Sequence, residues 1–416
     1  MKVYGMMRAA MMAAAMVSLA TAGKTCDMDP TPAATTAATA VTPAPTEAPV
    51  TAETTAPAVV TEAPTDAPVT QDDVGGEAET DAPAVATEAP ASDGSTTTTT
   101  SSGAAQSSAG TVATQISYVG ADCGGAGFSY DMVTDVATCA KTSVTTQSSV
   151  SPFDDDVTLS FRGPMTIHNI AVFDGSQGSW EKVSSYENGG AATNMVFMNN
   201  HNIDYAGTSS PEGFATEDGT GTATASTPFS GTLAAAANPY GQSIYAEDST
   251  GAEVHIMTEK QCGVDVECVG VYDNDGTAFQ GWSGTKKIFV TKVTMPEGGA
   301  PNVPAVWMLN AQIVRSGQYQ CNCRGTGSAG GCGELDIAEV LEKDTSYVAT
   351  HYYFYDGSVA PGNDQFGARP TDGPATYVTI IDEAYGVKIV QLGADDFDFG
   401  SGSITDDVVS QWENAA

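Results

Sequence analysis

The sequence predicts an all-β protein, a sandwich that follows a stretch too poor in apolar surface to fold. Three observations carry this expectation. Strand-length apolar runs, separated by Gly, Asn, Asp and Pro clusters, fill the chain after Gln115. Helical periodicity is scarce over the same span. Between Gly23 and Thr114 there is no aromatic residue at all. Charge narrows the partners: 15 Lys plus Arg against 51 Asp plus Glu give a formal net of -36 over 416 residues. So negative a chain repels phosphate backbones and anionic lipid headgroups, so no nucleic-acid and no membrane partner is expected.

Residues 1–22 read as a secretory signal peptide. Lys2 and Arg8 supply the positive end, Ala9 to Ala20 an apolar run too short to span a bilayer, and Ala20-Thr21-Ala22 the small-x-small cleavage pattern. No later stretch has the length of a membrane span, and the C-terminal Gln411 to Ala416 lacks a lipid-anchor tail. The mature protein is expected outside the cell, soluble or held in an extracellular matrix.

Residues 23–114 form the predicted stalk. Thr-Glu/Asp-Ala-Pro recurs at Thr46, Thr61, Thr65, Thr80 and Thr87, and no positive charge follows Lys24 in this segment. Burial there cannot offset the entropy of ordering, so disorder is expected, with Pro favouring extended backbone. Dense Thr and Ser beside Pro read as an O-glycosylated spacer, with a plain flexible linker as the alternative.

The folded part divides on the sequence into a small β domain at 115–174 and a larger sandwich at 175–416, with a break near Asp174-Gly175. Strands are predicted at Val157 to Phe161, Ile167 to Phe173, Ile288 to Met295, Ala305 to Leu309, Leu335 to Leu341, Tyr347 to Tyr355, Tyr377 to Ile381 and Val387 to Leu392. Eight Cys in an exported chain imply disulfides. Local pairs are Cys123 with Cys139 and Cys262 with Cys268. The trio Cys321, Cys323 and Cys332 pins a loop and leaves one over, with Cys26 as a distant partner. Zinc would need a fourth ligand and no His sits nearby, so no metal or other cofactor is expected. Asp273-Asn274-Asp275-Gly276 reads as a hairpin turn before a calcium loop, and Asp154-Asp155-Asp156 as a solvated turn.

The candidate chemistry follows the Cys trio, in Gly333-Glu334-Leu335-Asp336-Ile337-Ala338-Glu339-Val340-Leu341. In a strand Glu334 and Asp336 share one face. Glu339 lies at an odd offset from Glu334, so a regular strand would drive its charge into the core, an expensive burial. One extra residue in a β-bulge at Ile337-Ala338 returns Glu339 to the polar face. Two Glu flanking an Asp suit glycoside hydrolysis: one ionised carboxylate attacks the anomeric carbon and one protonated acid serves the leaving oxygen. Crowding raises carboxyl pKa values, so Asp336 between them carries or shares a proton. A solvated strand face is the alternative on spacing alone.

Context comes from Pro304-Ala305-Val306-Trp307-Met308-Leu309-Asn310 upstream. With the acidic strand, this resembles the retaining β-glucanases of glycoside hydrolase family sixteen in their bulged-strand form. Trp307 to Ile313, Arg315, Gln318-Tyr319, Cys321-x-Cys323 and Gly331-Cys332-Gly333-Glu334 are similar to the fungal-type "target of SBF" cell-wall glycosyl-hydrolase-like family. Pro152-Phe153-Asp154 with Phe161-Arg162-Gly163-Pro164 resembles that family's smaller N-terminal part, and Lys286 to Val290 its larger one. The resemblance implies a jelly-roll, concanavalin-like sandwich acting on β-1,3-glucan, with Glu334 as nucleophile, Asp336 as its electrostatic helper and Glu339 as acid/base. It also implies that Trp307 stacks on a sugar ring, and His351 on the next strand would hydrogen-bond a catalytic carboxylate; the alternatives are a core Trp and a structural His. The Trp-bearing late strand of many family sixteen enzymes is missing, and Tyr377 to Ile381 stands there instead. The expected protein is a monomeric cell-wall glucan hydrolase or transglycosylase. The rivals are a non-catalytic glucan-binding wall protein and a mucin-like coat protein.

Overall fold

The computed structural model describes residues 103–118, 128–199, 212–234, 253–272, 278–298, 302–318, 321–324, 331–342, 344–353 and 362–416. The signal peptide, most of the stalk, Cys26, Cys123 and Asp273 to Gly276 lie outside these residues.

In chain order the first strands are β1 (Ala105–Gln106), β2 (Val112–Tyr118), β3 (Phe128–Asp135), β4 (Ala140–Thr146), β5 (Val157–Arg162), β6 (Met165–Asp174) and β7 (Trp180–Glu187). Then come β8 (Val196–Asn199), β9 (Gly213–Ala215), β10 (Thr222–Ala223), β11 (Thr232–Leu233), β12 (Glu253–Met257), β13 (Lys286–Thr294) and β14 (Ala305–Asn310), which runs into helix α1 (Ala311–Ser316). The rest are β15 (Glu334–Leu341), β16 (Asp344–Tyr353), β17 (Gly362–Ala368), β18 (Ala375–Asp382), β19 (Gly386–Leu392), β20 (Ser403–Ile404) and helix α2 (Asp406–Glu413). The all-β expectation holds, and each predicted run coincides with one of these strands.

Two nine-stranded sheets form. One runs β1-β20-β7-β6-β13-β18-β19-β2, with β11 beside β6; the other runs β10-β9-β8-β12-β5-β14-β15-β16-β17. They pack face to face because every long strand alternates. From the second sheet Leu159, Phe161, Val306, Met308, Leu335 and Val340 meet Ile170, Val172, Phe289, Tyr377 and Ile389 of the first in one core. The first sheet buries its other face as well, under α2 and Phe397, around Phe173, Val290, Val378 and Trp412. Thr405 caps α2, and Asp406 and Asp407 in its first turn suit the positive end of the helix dipole. Trp412 is fully buried and donates Nε1–H to the Ala109 carbonyl at 2.7 Å; burying such a ring contributes about 4 kcal/mol.

Two expectations need correction. Order begins before Gln115: β1 pairs with β20, and β2, starting at Val112, pairs with β19. The end of the predicted stalk, from residue 103, is thus ordered with the sheet, where pairing with β20 and β19 offsets the entropy of ordering it. Nor is 115–174 a separate core. Here β5 sits between β12 and β14, and β6 between β7 and β13, so both strands are interior to sheets built mainly from later residues.

Candidate active site

The site lies on the face of the second sheet turned away from the shared core. Register sets it out in rows. Ser160 of β5 pairs with His255 of β12 and Trp307 of β14, Trp307 pairs with Asp336 of β15, and Asp336 with His351 of β16. In the adjoining row Glu253, Arg162, Ala305, Glu339 and Ala349 follow across the same five strands. Between the rows the register of β15 slips: Asp336 faces Trp307 but Ala338 faces Val306, so Ile337 is the surplus residue. Against β16, Ile337 and Ala338 together stand opposite Thr350. Thr350 fastens the bulge, its Oγ1 donating to the Asp336 carbonyl at 2.7 Å. Leu335, Ile337, Ala338 and Val340 stay in the core, while Glu334, Asp336 and Glu339 share the outer face.

What precedes β15 is tightly specified. Gly333 has φ +98, and a Cβ there would come within 2.7 Å of both Phe153 and Pro152. Only glycine suits both that angle and that space. Cys323 pairs with Cys332, and Cys321 pairs with Cys139 on the β3–β4 hairpin. The expected Cys123–Cys139 bond is therefore corrected: chain proximity favoured it, but the hairpin folds over this loop and brings Cys321 to Cys139. The Cys262–Cys268 bond is present.

Two guanidiniums answer the carboxylates. Arg324, beside Cys323, places Nε 2.9 Å from Glu334 Oε2. Arg162 Nη2 donates to Glu339 Oε1 at 2.8 Å, and its Nε to the Val303 carbonyl at 2.8 Å. Arg162 also lies 5.5 Å over the Trp307 ring, with Nη1 3.8 Å from Glu253 Oε1, and Glu253 accepts from Gln318. Burial, then the charges of Glu339 and Glu334, push Asp336 well above the usual carboxylate range. Glu334 is raised too, chiefly by burial, against the opposing pull of Arg324. The arrangement thus offers paired carboxylates flanking one that favours its protonated form, the chemistry that acid/base and nucleophilic work at an acetal carbon needs.

Trp307 and His351 are brought to the site but not in the expected roles. Trp307 is 3% exposed, one face under Arg162 and its edge against His255 at 6.0 Å, so it is the floor of the site and not an open stacking platform. His351 turns its Nε2 to Asp364 Oδ1 on β17, at 3.0 Å, and not to a carboxylate of the trio. The pleat explains this, since His351 pairs with Gly362 on β17 and Asp364, two residues on, shares that residue's face.

Sequence reasoning missed Arg162, Arg324, Glu253, Ser160, His255 and Glu212. The alternation Thr158, Ser160, Arg162 against Leu159 and Phe161 already marked a polar outer face, as did Glu253 and His255 around Val254. His255 Nδ1 lies 2.6 Å from Ser160 Oγ, and its Nε2 3.7 Å from Glu212 Oε1. Burial drives His255 down to about 3 and Glu212 well up, so it opposes the charged form of both and weakens any ion pair between them. The Asp154–Asp156 run is also corrected. Asp156 is buried and meets Arg315 Nη1 at 2.7 Å, and Asp155 accepts from Gln312 at 2.9 Å. The cause is α1, whose Arg315 and Gln312 point back at the start of β5. Among the described residues no group of three or more His, Cys, Asp or Glu is disposed to hold a metal ion.

The family described as "Cell wall protein YJL171C/Tos1, C-terminal" matches residues 178–412, more than half of the chain, and its N-terminal counterpart matches residues 114–175. These two divide where the composition suggested a break, although the two segments share both sheets. Among relatives, a "Probable circularly permuted 1,3-beta-glucanase TOS1" of Candida albicans is 33% identical over 256 residues, 56% of this chain and 50% of that one. The protein of the same description from Saccharomyces cerevisiae is 32% identical over 246 residues, 57% of this chain and 50% of that one. A "Probable circularly permuted 1,3-beta-glucanase YJL171C" of Saccharomyces cerevisiae is 28% identical over 289 residues, 62% of this chain and 68% of that one. The chain spans about half the length of the two TOS1 relatives. No solved structure matches it.

Proposed function

The chain belongs to the YJL171C/Tos1 family of cell wall proteins, and from that premise we propose that it is a secreted enzyme that cleaves or transfers β-1,3-glucan with retention. The relatives' names supply the substrate class. The observation that carries the reading is the one-residue register slip at Ile337, which turns Glu334, Asp336 and Glu339 to the same face. In this reading the two sheets form a jelly-roll sandwich, and the Thr/Pro-rich segment before it is an O-glycosylated spacer in the wall.

The reaction runs in two steps. An oxygen of Glu334 bonds to the anomeric carbon as the glycosidic C–O bond breaks, and Glu339 gives its proton to the departing oxygen. An incoming hydroxyl then loses its proton to Glu339 and bonds to the same carbon, and the bond to Glu334 breaks. Water as the acceptor makes a hydrolase, a glucan hydroxyl a transglycosylase. Asp336, held toward its neutral form, hydrogen-bonds beside the nucleophile without adding a third negative charge.

One observation favours the rival, a wall protein that binds glucan without turning it over. Glu334 and Asp336 are 9% and 6% exposed, and Arg324 occupies a Glu334 oxygen. Assaying reducing-sugar release and chain-length redistribution on laminarin separates the two. The enzyme reading expects turnover by the wild type and a loss of about 10²–10⁴-fold in Glu339→Gln, with Glu334→Gln inactive. A wild type that sediments with insoluble glucan yet changes no chain length refutes it.

A further inference from the structure

Resting on the reading of Glu339 as acid/base, a further residue can be assigned. Arg162 and Glu339 are not on neighbouring strands, because β14 runs between β5 and β15. They meet because the residue between them in the row is Ala305, whose methyl group leaves the space over which two long side chains close to 2.8 Å. The guanidinium is itself locked. Its Nε is spent on the Val303 carbonyl, its plane lies over Trp307, and Glu253 stands on its far side, held in turn by Gln318. Arg162 is 5% exposed, whereas the Glu339 side chain, at 19%, is the more open partner. Among the described residues, Glu339 accepts its side-chain hydrogen bond through Oε1.

We propose that Arg162 is the positioning residue of the acid/base: it grips Glu339 Oε1 from across Ala305 and leaves Oε2 as the single oxygen that exchanges a proton with the glycosidic oxygen. A surface pair of these types would be worth little. This one is part-buried, with its guanidinium anchored on three sides and built across a strand, so it fixes a rotamer as well as a charge. Besides Arg162, the groups that interact electrostatically with Glu339 include Glu334 and Asp336 on its own strand and Tyr353 on β16.

The test compares kcat/KM, which reports glycosylation, for laminarin and for a 2,4-dinitrophenyl β-laminaribioside, whose leaving group departs without a proton. Arg162→Gln is expected to lose about 30-fold or more on laminarin and less than about threefold on the activated substrate. Arg162→Lys keeps the charge but recovers only part of the laminarin rate, because one ammonium cannot hold Val303 and Glu339 together. Ala305→Leu, which keeps Arg162 but blocks its path, should reproduce the leaving-group dependence. Equal losses on both substrates mean that Arg162 is only structural, and overturn the proposal. Laminarin activity undiminished in Glu334→Gln and Glu339→Gln overturns the enzyme reading instead, and this inference with it.

Discussion

Replacing Arg315 by Met tests how the two central site strands are tied. Arg315 closes α1, directly after the strand of Trp307, and its Nη1 binds Asp156, directly before the strand of Ser160 and Arg162, at 2.7 Å. Both side chains are nearly inaccessible, at 1% and 3%. Arg315 further donates to the Phe279 carbonyl at 3.2 Å and the Val269 carbonyl at 2.8 Å, whereas among the described residues the Asp156 carboxylate accepts otherwise only from Gly281 N–H, at 3.2 Å. Removing the guanidinium strands a buried carboxylate, which costs about 3–5 kcal/mol. With roughly 300 ordered residues, the unfolding entropy of about 0.6 kcal/mol/K translates this to a fall of about 5–8 °C in Tm.

The loss should depend on pH. Arg315 and the Gly281 amide hold Asp156 below its ordinary value in the wild type, despite burial. That contribution is fully present above the unfolded carboxylate value and is lost as pH falls through the folded one. Without Arg315 burial raises Asp156, so the gap between wild type and variant widens from pH 4 to pH 7. Urea denaturation at the two pH values measures it, and the double variant Asp156→Leu/Arg315→Met should recover most of the loss. A gap below about 1 kcal/mol, or one that is the same at both pH values, refutes the reasoning.

Other outcomes follow from the same contacts. Gly333→Ala forces a side chain into a positive-φ position and against Phe153 and Pro152, so about 2 kcal/mol or more of stability should go, together with glucan turnover because Glu334 is the next residue; a variant with wild-type stability in urea speaks against that packing. His255 is neutral in the fold down to about 3, while the unfolded chain takes up its proton near 6.5. Stability therefore falls on acidification across that window, by at most about 1.4 kcal/mol per pH unit, and His255→Gln should show the shallower slope between pH 6.5 and 4. Equal slopes would contradict a buried, unprotonated imidazole.

How much of this was legible beforehand depends on the range of the interaction. The bulge was, because an odd offset between Glu334 and Glu339 conflicts with the strict alternation of a strand and one inserted residue resolves it. Cys262–Cys268 was, at a separation of 6, but Cys139–Cys321 spans 182 residues and needed the hairpin laid over the loop. Asp154 to Asp156 looked like any acidic turn until α1 supplied Arg315 and Gln312. His351 was placed on the correct strand, directly opposite Asp336, yet its imidazole went to the strand on the other side.

Composition and alternation alone determined that this chain makes strands, which faces of them are apolar, and that three acids emerge on one of those faces, since each of these depends only on residues near in sequence. Tertiary structure decided the rest: that 115–174 and later segments build the same two sheets, that Trp307 is covered, and that Arg162 and Arg324 are the cations beside Glu339 and Glu334. Those depend on which strands lie side by side. The order of neighbours in a sheet is a global choice of packing, made by the whole core at once and written in no single segment.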